Sequence, residues 1–273
     1  MDVIIGLGSA GCKIADQFAV YPQYDVYKID VGLTGSNCFA LPQKSSPEEY
    51  ERSVPDMNIF FKDIEGDVLF IVGGGKISGA SLRIMQQLQN CNLSVLYIKP
   101  DLKSSTKTSV LQHRTVCGVL QEYARSGIFK NIYLIDNTIL EKLIGDVPIL
   151  EYNNKLNSTI VNVFHYINFF NHTDPVLQNA EQPKESQRIS TIGVCDLSSN
   201  IDTSFFDLQN VGYKCYYYGV SEKVLKTDAT LFKTIKDKAA EERSSYRVHL
   251  INHEKPCCFF VAHTSFVQTV DTD

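Results

Sequence analysis

The chain has 273 residues, 44% hydrophobic and 21% charged, ordinary values for a globular protein. That length buries a sizeable core without staples, which excludes disordered, collagenous and disulfide-miniprotein classes and leaves one large domain or two unequal ones. Lys and Arg total 26 against 31 Asp and Glu, a formal charge of −5, so nucleic acid, which needs an excess of basic surface, is a poor candidate for a direct ligand.

The longest apolar stretches fall far short of the ~20 residues that a membrane span needs. The chain starts Met1-Asp2 and enters a strand pattern at once, with no basic stretch or cleavage-like site. A signal peptide is therefore not expected, and a cytoplasmic location is. Cysteines stand at 12, 38, 91, 117, 195, 215, 257 and 258, mostly inside apolar segments and without a CxxC, which predicts reduced, mostly buried thiols. Cys257-Cys258 with His249, His253 and His263 is the one Cys/His cluster. Neighbouring strand residues point to opposite faces, so no metal site is expected there.

Strand-like and helical patterns alternate along the first part of the chain. Val3–Leu7 reads as a strand, 11–18 as a helix, 26–29 as a strand and 67–72 as a buried strand ending in Gly73-Gly74-Gly75. Residues 78–89 carry Leu82, Met85 and Leu88 at helical spacing. A strand at 94–98, a helix at 108–123, a strand at 131–135 and a short helix at 138–144 follow. The next helix, 155–170, places Leu156, Ile160, Val163, Ile167 and Phe170 in one stripe. This alternation predicts an α/β protein: a Rossmann-like parallel sheet with helices on both faces. The polar stretch 172–187 with its two prolines reads as a linker. Beyond it, 189–194 and 214–219 are strand-like, 227–242 is helical, and 246–251 and 257–263 are β-like segments able to pair as a hairpin. The expected organisation is a nucleotide-binding domain at 1–171 that includes the central helix, a linker at 172–188, and a smaller α+β domain at 189–273.

The first strand runs into Gly6-Leu7-Gly8-Ser9-Ala10-Gly11, a GxGxxG pattern between strand and helix. A turn without Cβ atoms lets a phosphate approach the free N–H groups of a helix N-terminus. Asp30 stands 19 residues past Gly11, where a dinucleotide fold places its ribose-binding acid. Gly73-Gly74-Gly75-Lys76-Ile77-Ser78-Gly79 also follows a buried strand and precedes a helical pattern. Two such loops on one sheet edge suit a di- or triphosphate, and Lys76 either supplies a cation beside it or faces solvent.

These residues resemble the tubulin/FtsZ superfamily. Gly8-Ser9-Ala10-Gly11-Cys12-Lys13-Ile14 is similar to the tubulin loop G-Q-[AC]-G-x-Q-I. The second cluster is similar to G-G-G-T-G-[ST]-G at Gly73, Gly74, Gly75, Ser78 and Gly79, and departs from it at Lys76 and Ile77. The order of later elements agrees with that family: Lys99-Pro100-Asp101 with Lys107 nearby, then Leu134-Ile135-Asp136-Asn137. Tyr152-Asn153-Asn154-Lys155-Leu156-Asn157 then resembles the tubulin Y-G-D-L-N, which is one residue shorter. An amide donates and accepts at once, so Asn137 or Asn157 could read a purine edge, with Tyr152 as a stacking face. Asn137 and Asn154 equally suit helix N-caps.

In that family a loop after the central helix of the next subunit supplies the acid that orients the attacking water. FtsZ reads N-V-D-F-A-D there. Asn200 and Asp202 match, with a second acid displaced to Asp207 and Asp196 a further candidate; about 28 residues separate them from the helix end. A turn and helix cap at 199–203 is the plain alternative. Residues 32–55 lack the Gly/Ala-rich loop that senses the γ-phosphate in the family.

The resemblance implies a GTP-binding, filament-forming protein that associates with itself head to tail. Its GTP or GDP would be bound with Mg²⁺, and Asp202 or Asp207 would complete hydrolysis across the interface. Two alternatives stand beside it: a non-hydrolysing nucleotide-binding scaffold of the same fold, and an NAD(P)-dependent oxidoreductase using residues 6–11 and Asp30.

Overall fold

A computed structural model describes residues 1–102 and 105–269. In chain order the elements are β1 (Val3–Leu7), α1 (Gly8–Phe18), β2 (Asp25–Val31), β3 (Cys38–Leu41), α2 (Pro47–Arg52) and β4 (Asp67–Gly73). A 3-10 turn (Lys76–Ala80), α3 (Ser81–Met85) and a second 3-10 turn (Gln86–Leu88) lead to β5 (Asn92–Lys99). There follow α4 (Lys107–Arg125), β6 (Asn131–Asp136), α5 (Asn137–Ile144) and the central helix α6 (Tyr152–Asn171). The remainder comprises β7 (Leu177–Gln178), β8 (Ile189–Asp196), β9 (Ile201–Ser204), β10 (Tyr213–Val220), α7 (Glu222–Thr227), α8 (Leu231–Glu241), β11 (Ser245–Leu250) and β12 (Cys257–Thr264).

The described strands form one mixed sheet in the order β3-β2-β1-β4-β5-β6-β8-β12-β10-β11-β7, with β9 paired to β8. From β3 through β8 every pair on this path is parallel. Continuous apolar runs such as 68–72 suit strands covered on both faces. Tyr50, Ile84, Leu120 and Ala124 of α2 to α4 cover one face over Val68, Phe70 and Val95. Ile14 and Phe18 of α1 and the stripe Leu156, Ile160, Val163, Phe164, Ile167 and Phe170 of α6 cover the other. Each Val, Leu, Ile or Phe among them stabilises the fold by about 1.5–3 kcal/mol when fully buried. A third core lies under α8, where Ile235 and Ala239 meet Tyr216, Tyr218 and Phe260.

Three expectations are corrected. Segments 246–251 and 257–263 do not form a hairpin: β10 lies between them, parallel to β11 and antiparallel to β12. The reason is the helical crossover α7–α8, which delivers β11 parallel to β10, so that β12 must return on the other side. Residues 78–89 are not one helix. Ser78 donates both its N–H and its hydroxyl to the Gly75 carbonyl, at 3.0 and 2.6 Å, which winds the segment as 3-10. Residues 227–242 split because the Asp228 carboxylate accepts the N–H groups of Thr230 and Leu231, ending α7 and restarting the chain as α8.

α6 ends at the amino-terminal edge of the sheet. The Met1 amine donates to Asn168 Oδ1 at 2.9 Å, and Asn168 Nδ2 returns a bond to the Met1 carbonyl at 3.0 Å. No helix among the described residues is long and apolar enough to cross a membrane.

Candidate nucleotide site at the carboxyl edge of the sheet

Parallel pairing brings the carboxyl ends of the strands to one edge. Leu7 pairs with Ile29 and Val72, Gly73 with Ile98, and Lys99 with Asp136. The glycine loops, Asp30, the turn at Lys99-Pro100-Asp101 and Asn137 therefore share this edge. The strand order reverses between β1 and β4, and a crevice at the carboxyl ends beside such a reversal is where open α/β sheets hold ligands. The two glycine loops flank that point.

The glycines divide into packing positions and positions with open space. A Cβ on Gly6 would stand 2.5 Å from the Gly11 carbonyl oxygen, and one on Gly11 would stand 2.4 Å from that of Ile71, so these two let α1 lie close on β1 and β4. A Cβ on Gly79 would stand 2.1 Å from the Pro47 carbonyl oxygen, where α2 docks. Gly8 opens α1 at φ +72°, and Ser9 and Ala10 behind it are exposed. Leu7 gives α1 no side-chain cap, which leaves first-turn N–H groups for an anion. Gly75 has open space where its Cβ would be, while Gly73 packs beside Ala10 and Gly74 beside Tyr97 and Pro100.

Ser78 is buried and spends its hydroxyl on the loop's own carbonyl. Lys76 and Lys107 are exposed, Lys107 in the first turn of α4. Cys12 is buried, its thiol donating to the carbonyls of Gly6 at 3.3 Å and Ile29 at 3.6 Å, and burial pushes it up to about 12. Its side chain belongs to the core, so only its backbone can serve a ligand. Asp30 is half-buried and accepts the Val31 N–H at 2.8 Å.

Asp136, not Asn137, caps α5: its Oδ1 accepts the Thr138 N–H at 2.9 Å and its Oδ2 pairs with Lys99 Nζ at 2.7 Å. Asn154 does not cap α6, which starts at Tyr152 behind Glu151. Asn137 and Asn157 are half-buried, and neither amide has a side-chain partner among the described residues. The Tyr152 hydroxyl donates to Glu141. Burial, then Glu141, with Asp101 adding, pushes that phenol up to about 12. Tyr152 therefore stands between α5 and the turn after β5.

Sequence reasoning missed the support behind the second loop. Gln112 Nε2 donates to the Gly75 carbonyl at 2.6 Å. The Tyr97 hydroxyl, beside Gly74, shares a 2.6 Å hydrogen bond with His113 Nδ1. Burial first, then Lys99, lowers the fully buried His113 to about 4, so the imidazole is neutral. In the sequence these residues differ in no way from other positions of a strand and a helix.

Asp202 and Asp207 lie elsewhere. Asp202, on β9, pairs with Lys214 Nζ at 2.5 Å and Lys238 Nζ at 3.0 Å and accepts the Tyr216 hydroxyl. Burial opposes ionisation, but these three bonds outweigh it and hold the carboxyl below its ordinary value. Opposite Cys195 near the carboxyl end of β8, it is in the same half of the sheet as the glycine loops. Asp207 is exposed in the turn before β10, and Asp196 caps its own turn at Ser198. The loop that directly follows α6 is instead at the opposite edge and carries the exposed Asp174.

No protein-family model and no curated protein sequence matches the chain. Solved structures do. A GTPγS-form protofilament of Bacillus thuringiensis serovar israelensis TubZ superposes with a TM-score of 0.72 at 15% identity, over 96% of this chain and 88% of that one. An empty FtsZ dimer of M. jannaschii gives 0.69 at 10% identity, over 96% and 87%. CetZ2 of Haloferax volcanii, a GTPγS-bound protofilament, gives 0.68 at 13% identity, over 96% and 92%. The chain has the tubulin/FtsZ-like fold, and the match runs nearly the full length of both chains. The comparisons lend no support to the oxidoreductase alternative.

Proposed function

We propose that the chain binds a guanine nucleotide at the carboxyl edge of its sheet and assembles head to tail with copies of itself. The observation that carries this reading is the uncapped N-terminus of α1 behind Gly8, set against the second glycine loop where the strand order reverses. Residues 8–12 and 73–75 would hold the phosphates through backbone N–H groups, with Lys76 and Lys107 supplying positive charge. Ser78 and Gly79 would shape the second loop. Asp30, Asn137, Tyr152 and Asn157 would surround the ribose and base. Among the solved structures of similar fold, TubZ is a protofilament in GTPγS and GDP forms and CetZ2 is a GTPγS-bound protofilament, which supports the ligand and the self-association. The described residues contain no cluster of three or more His, Cys, Asp or Glu able to hold a metal, so Mg²⁺ would be carried in with the phosphates.

GTP hydrolysis would need a carboxylate presented by the neighbouring copy. In a head-to-tail stack that acid comes from the edge opposite the glycine loops. Asp174, directly after α6, meets this condition; Asp207 is second; Asp202 is held by two lysines and a tyrosine and serves the fold. A non-hydrolysing scaffold is the second reading, favoured by that same engagement of Asp202.

The test is to denature the purified protein, identify the released nucleotide, and follow light scattering and phosphate release on adding GTP, GDP, ATP or NAD. Bound guanine nucleotide with GTP-dependent scattering and phosphate release supports the proposal. Scattering without phosphate release selects the scaffold. NAD in the released fraction, or no nucleotide and no scattering response, overturns the reading.

A further inference from the structure

Two cysteines that the sequence places 63 positions apart face each other under α8. In the β8–β12 pair, Val194 faces Phe259 and Gly193 faces Phe260, so Cys195 faces Cys258. Cys195 also faces Asp202 on β9, and Cys258 faces Tyr218 on β10. The four residues form one row across the sheet, and both cysteines belong to the core that Ile235 and Ala239 of α8 cover. Lys238 of α8, 5% exposed, reaches down to Asp202 Oδ1 at 3.0 Å, the residue that faces Cys195, and donates to the Asn200 carbonyl at 3.0 Å. Lys214 and Tyr216 hold the other oxygen of Asp202, and Glu242 pairs with Lys214 at 3.2 Å.

Facing residues of antiparallel strands have Cα atoms about 4.5 or 5.5 Å apart. Both values fall within the range of about 4.4–6.8 Å that a disulfide spans. A buried ammonium beside a thiol favours its thiolate, which is the nucleophile.

We propose that Cys195 and Cys258 form a peroxide-reactive dithiol, with Cys195 as the attacking and Cys258 as the resolving thiol. The Cys195 sulfur attacks one oxygen of hydrogen peroxide. The O–O bond breaks, the sulfur is oxidised to sulfenic acid, and the departing hydroxide takes the former thiol proton as water. The Cys258 sulfur then displaces the sulfenic hydroxyl, which leaves with the Cys258 proton as a second water. Two thiols and one peroxide thus give one disulfide and two waters.

The surroundings distinguish the two roles. The facing Cys258 thiol and the Lys238 charge hold the Cys195 thiol below its ordinary value against burial and Asp202, whereas burial pushes Cys258 well up. Burial pushes other thiols up, Cys12 and Cys117 to about 12 and Cys215 to about 11. Cys195 is 5% exposed and Cys258 3%, so a small oxidant is required. α8 presents only Ile235, Lys238 and Ala239 to the sheet as buried residues, so local opening of this helix is the natural route of access.

The experiment treats the reduced, full-length protein with hydrogen peroxide, blocks the remaining thiols with N-ethylmaleimide and maps the peptides. The expected product carries a Cys195–Cys258 link, two hydrogens lighter and with two fewer alkylation sites. In C258S, dimedone should trap a sulfenic acid at Cys195; in C195S, Cys258 should stay reduced. K238Q should slow oxidation about tenfold at neutral pH and move the midpoint of the pH–rate profile upward, since one pKa unit is tenfold in thiolate fraction. The proposal is overturned if Cys195 and Cys258 are both recovered alkylated after a dose that oxidises the half-buried Cys38 and Cys91. Trapping at Cys258 in place of Cys195 overturns the assigned roles. The wild-type map decides the main point even if a variant fails to fold.

Discussion

The side chain of Ile77 occupies the space above Gly8: a Cβ at residue 8 would stand 2.5 Å from Ile77 Cγ2. The two glycine loops are therefore interlocked. Ile77, a departure from the family signature, fills a gap left by the missing side chain of the first loop. G8A adds a methyl to that gap and holds alanine at φ +72°, which by itself costs about 1–2 kcal/mol. The expected result is a loss of about 1–3 kcal/mol in denaturant unfolding together with loss of GTP binding. I77A in the G8A background should recover the steric part of the stability and leave the backbone part, a coupling that a double-mutant cycle measures.

Gly75 and Gly11 should behave oppositely. A Cβ on Gly75 meets nothing, and its φ is −74°, so G75A should change stability by less than about 0.5 kcal/mol. A drop in GTP affinity for G75A therefore reports a ligand that closely approaches the loop backbone, and unchanged affinity removes Gly75 from the phosphate site. G11A drives a methyl onto the backbone oxygen of Ile71 and should cost about 3 kcal/mol or more, read as aggregation or a large fall in Tm.

What the sequence makes legible follows from locality. The β1–α1 turn, the apolar run 68–72 and the stripe of α6 each depend on residues near in sequence, and all were visible as periodicity and glycine spacing. The pairing of β10 with β11 and β12, the bond between Tyr97 and His113, and the facing of Cys195 and Cys258 depend on long-range register, for which one sequence carries no mark. Asp202 shows the cost most clearly. The match of Asn200 and Asp202 suggested a hydrolytic loop, and nothing in it marked the partners that Asp202 takes from β10 and α8.

The acids can be separated by stability and turnover measured together. D202A removes the carboxylate shared by Lys238, 5% exposed, and Lys214, 15% exposed, leaving Lys238 only the Asn200 carbonyl and Lys214 only Glu242; breaking such a buried pair should cost about 3 kcal/mol. Asp174 and Asp207 are exposed, so D174A and D207A should leave stability within about 0.5 kcal/mol. D174A should abolish GTP turnover in the assembled protein while GTP binding persists. Parent-level turnover in D174A with loss in D207A would move the acid to Asp207, and turnover in both would select the scaffold reading.

Acid should destabilise the fold before its carboxylates titrate. His113, His249 and His263 each have a folded pKa lowered to about 4 by burial, from an ordinary 6.5. Each accepts or donates one fixed hydrogen bond in the folded state, to Tyr97, Thr173 and Ser190 respectively. Because the folded pKa is the lower one, the unfolded chain binds more protons between about pH 4 and 6.5. Stability is therefore complete above 6.5 and declines as pH falls toward 4, by about 1.4 kcal/mol per pH unit for each histidine that takes up a proton only on unfolding. Asp202, with its pKa already below the ordinary carboxylate value, acts only at lower pH. Urea unfolding at pH 7.5, 6, 5 and 4.5 should show this slope, and H113Q should reduce it by about one proton's worth. A stability that stays flat from pH 7 to 4.5 would mean that these three imidazoles are hydrated and charged in the folded protein.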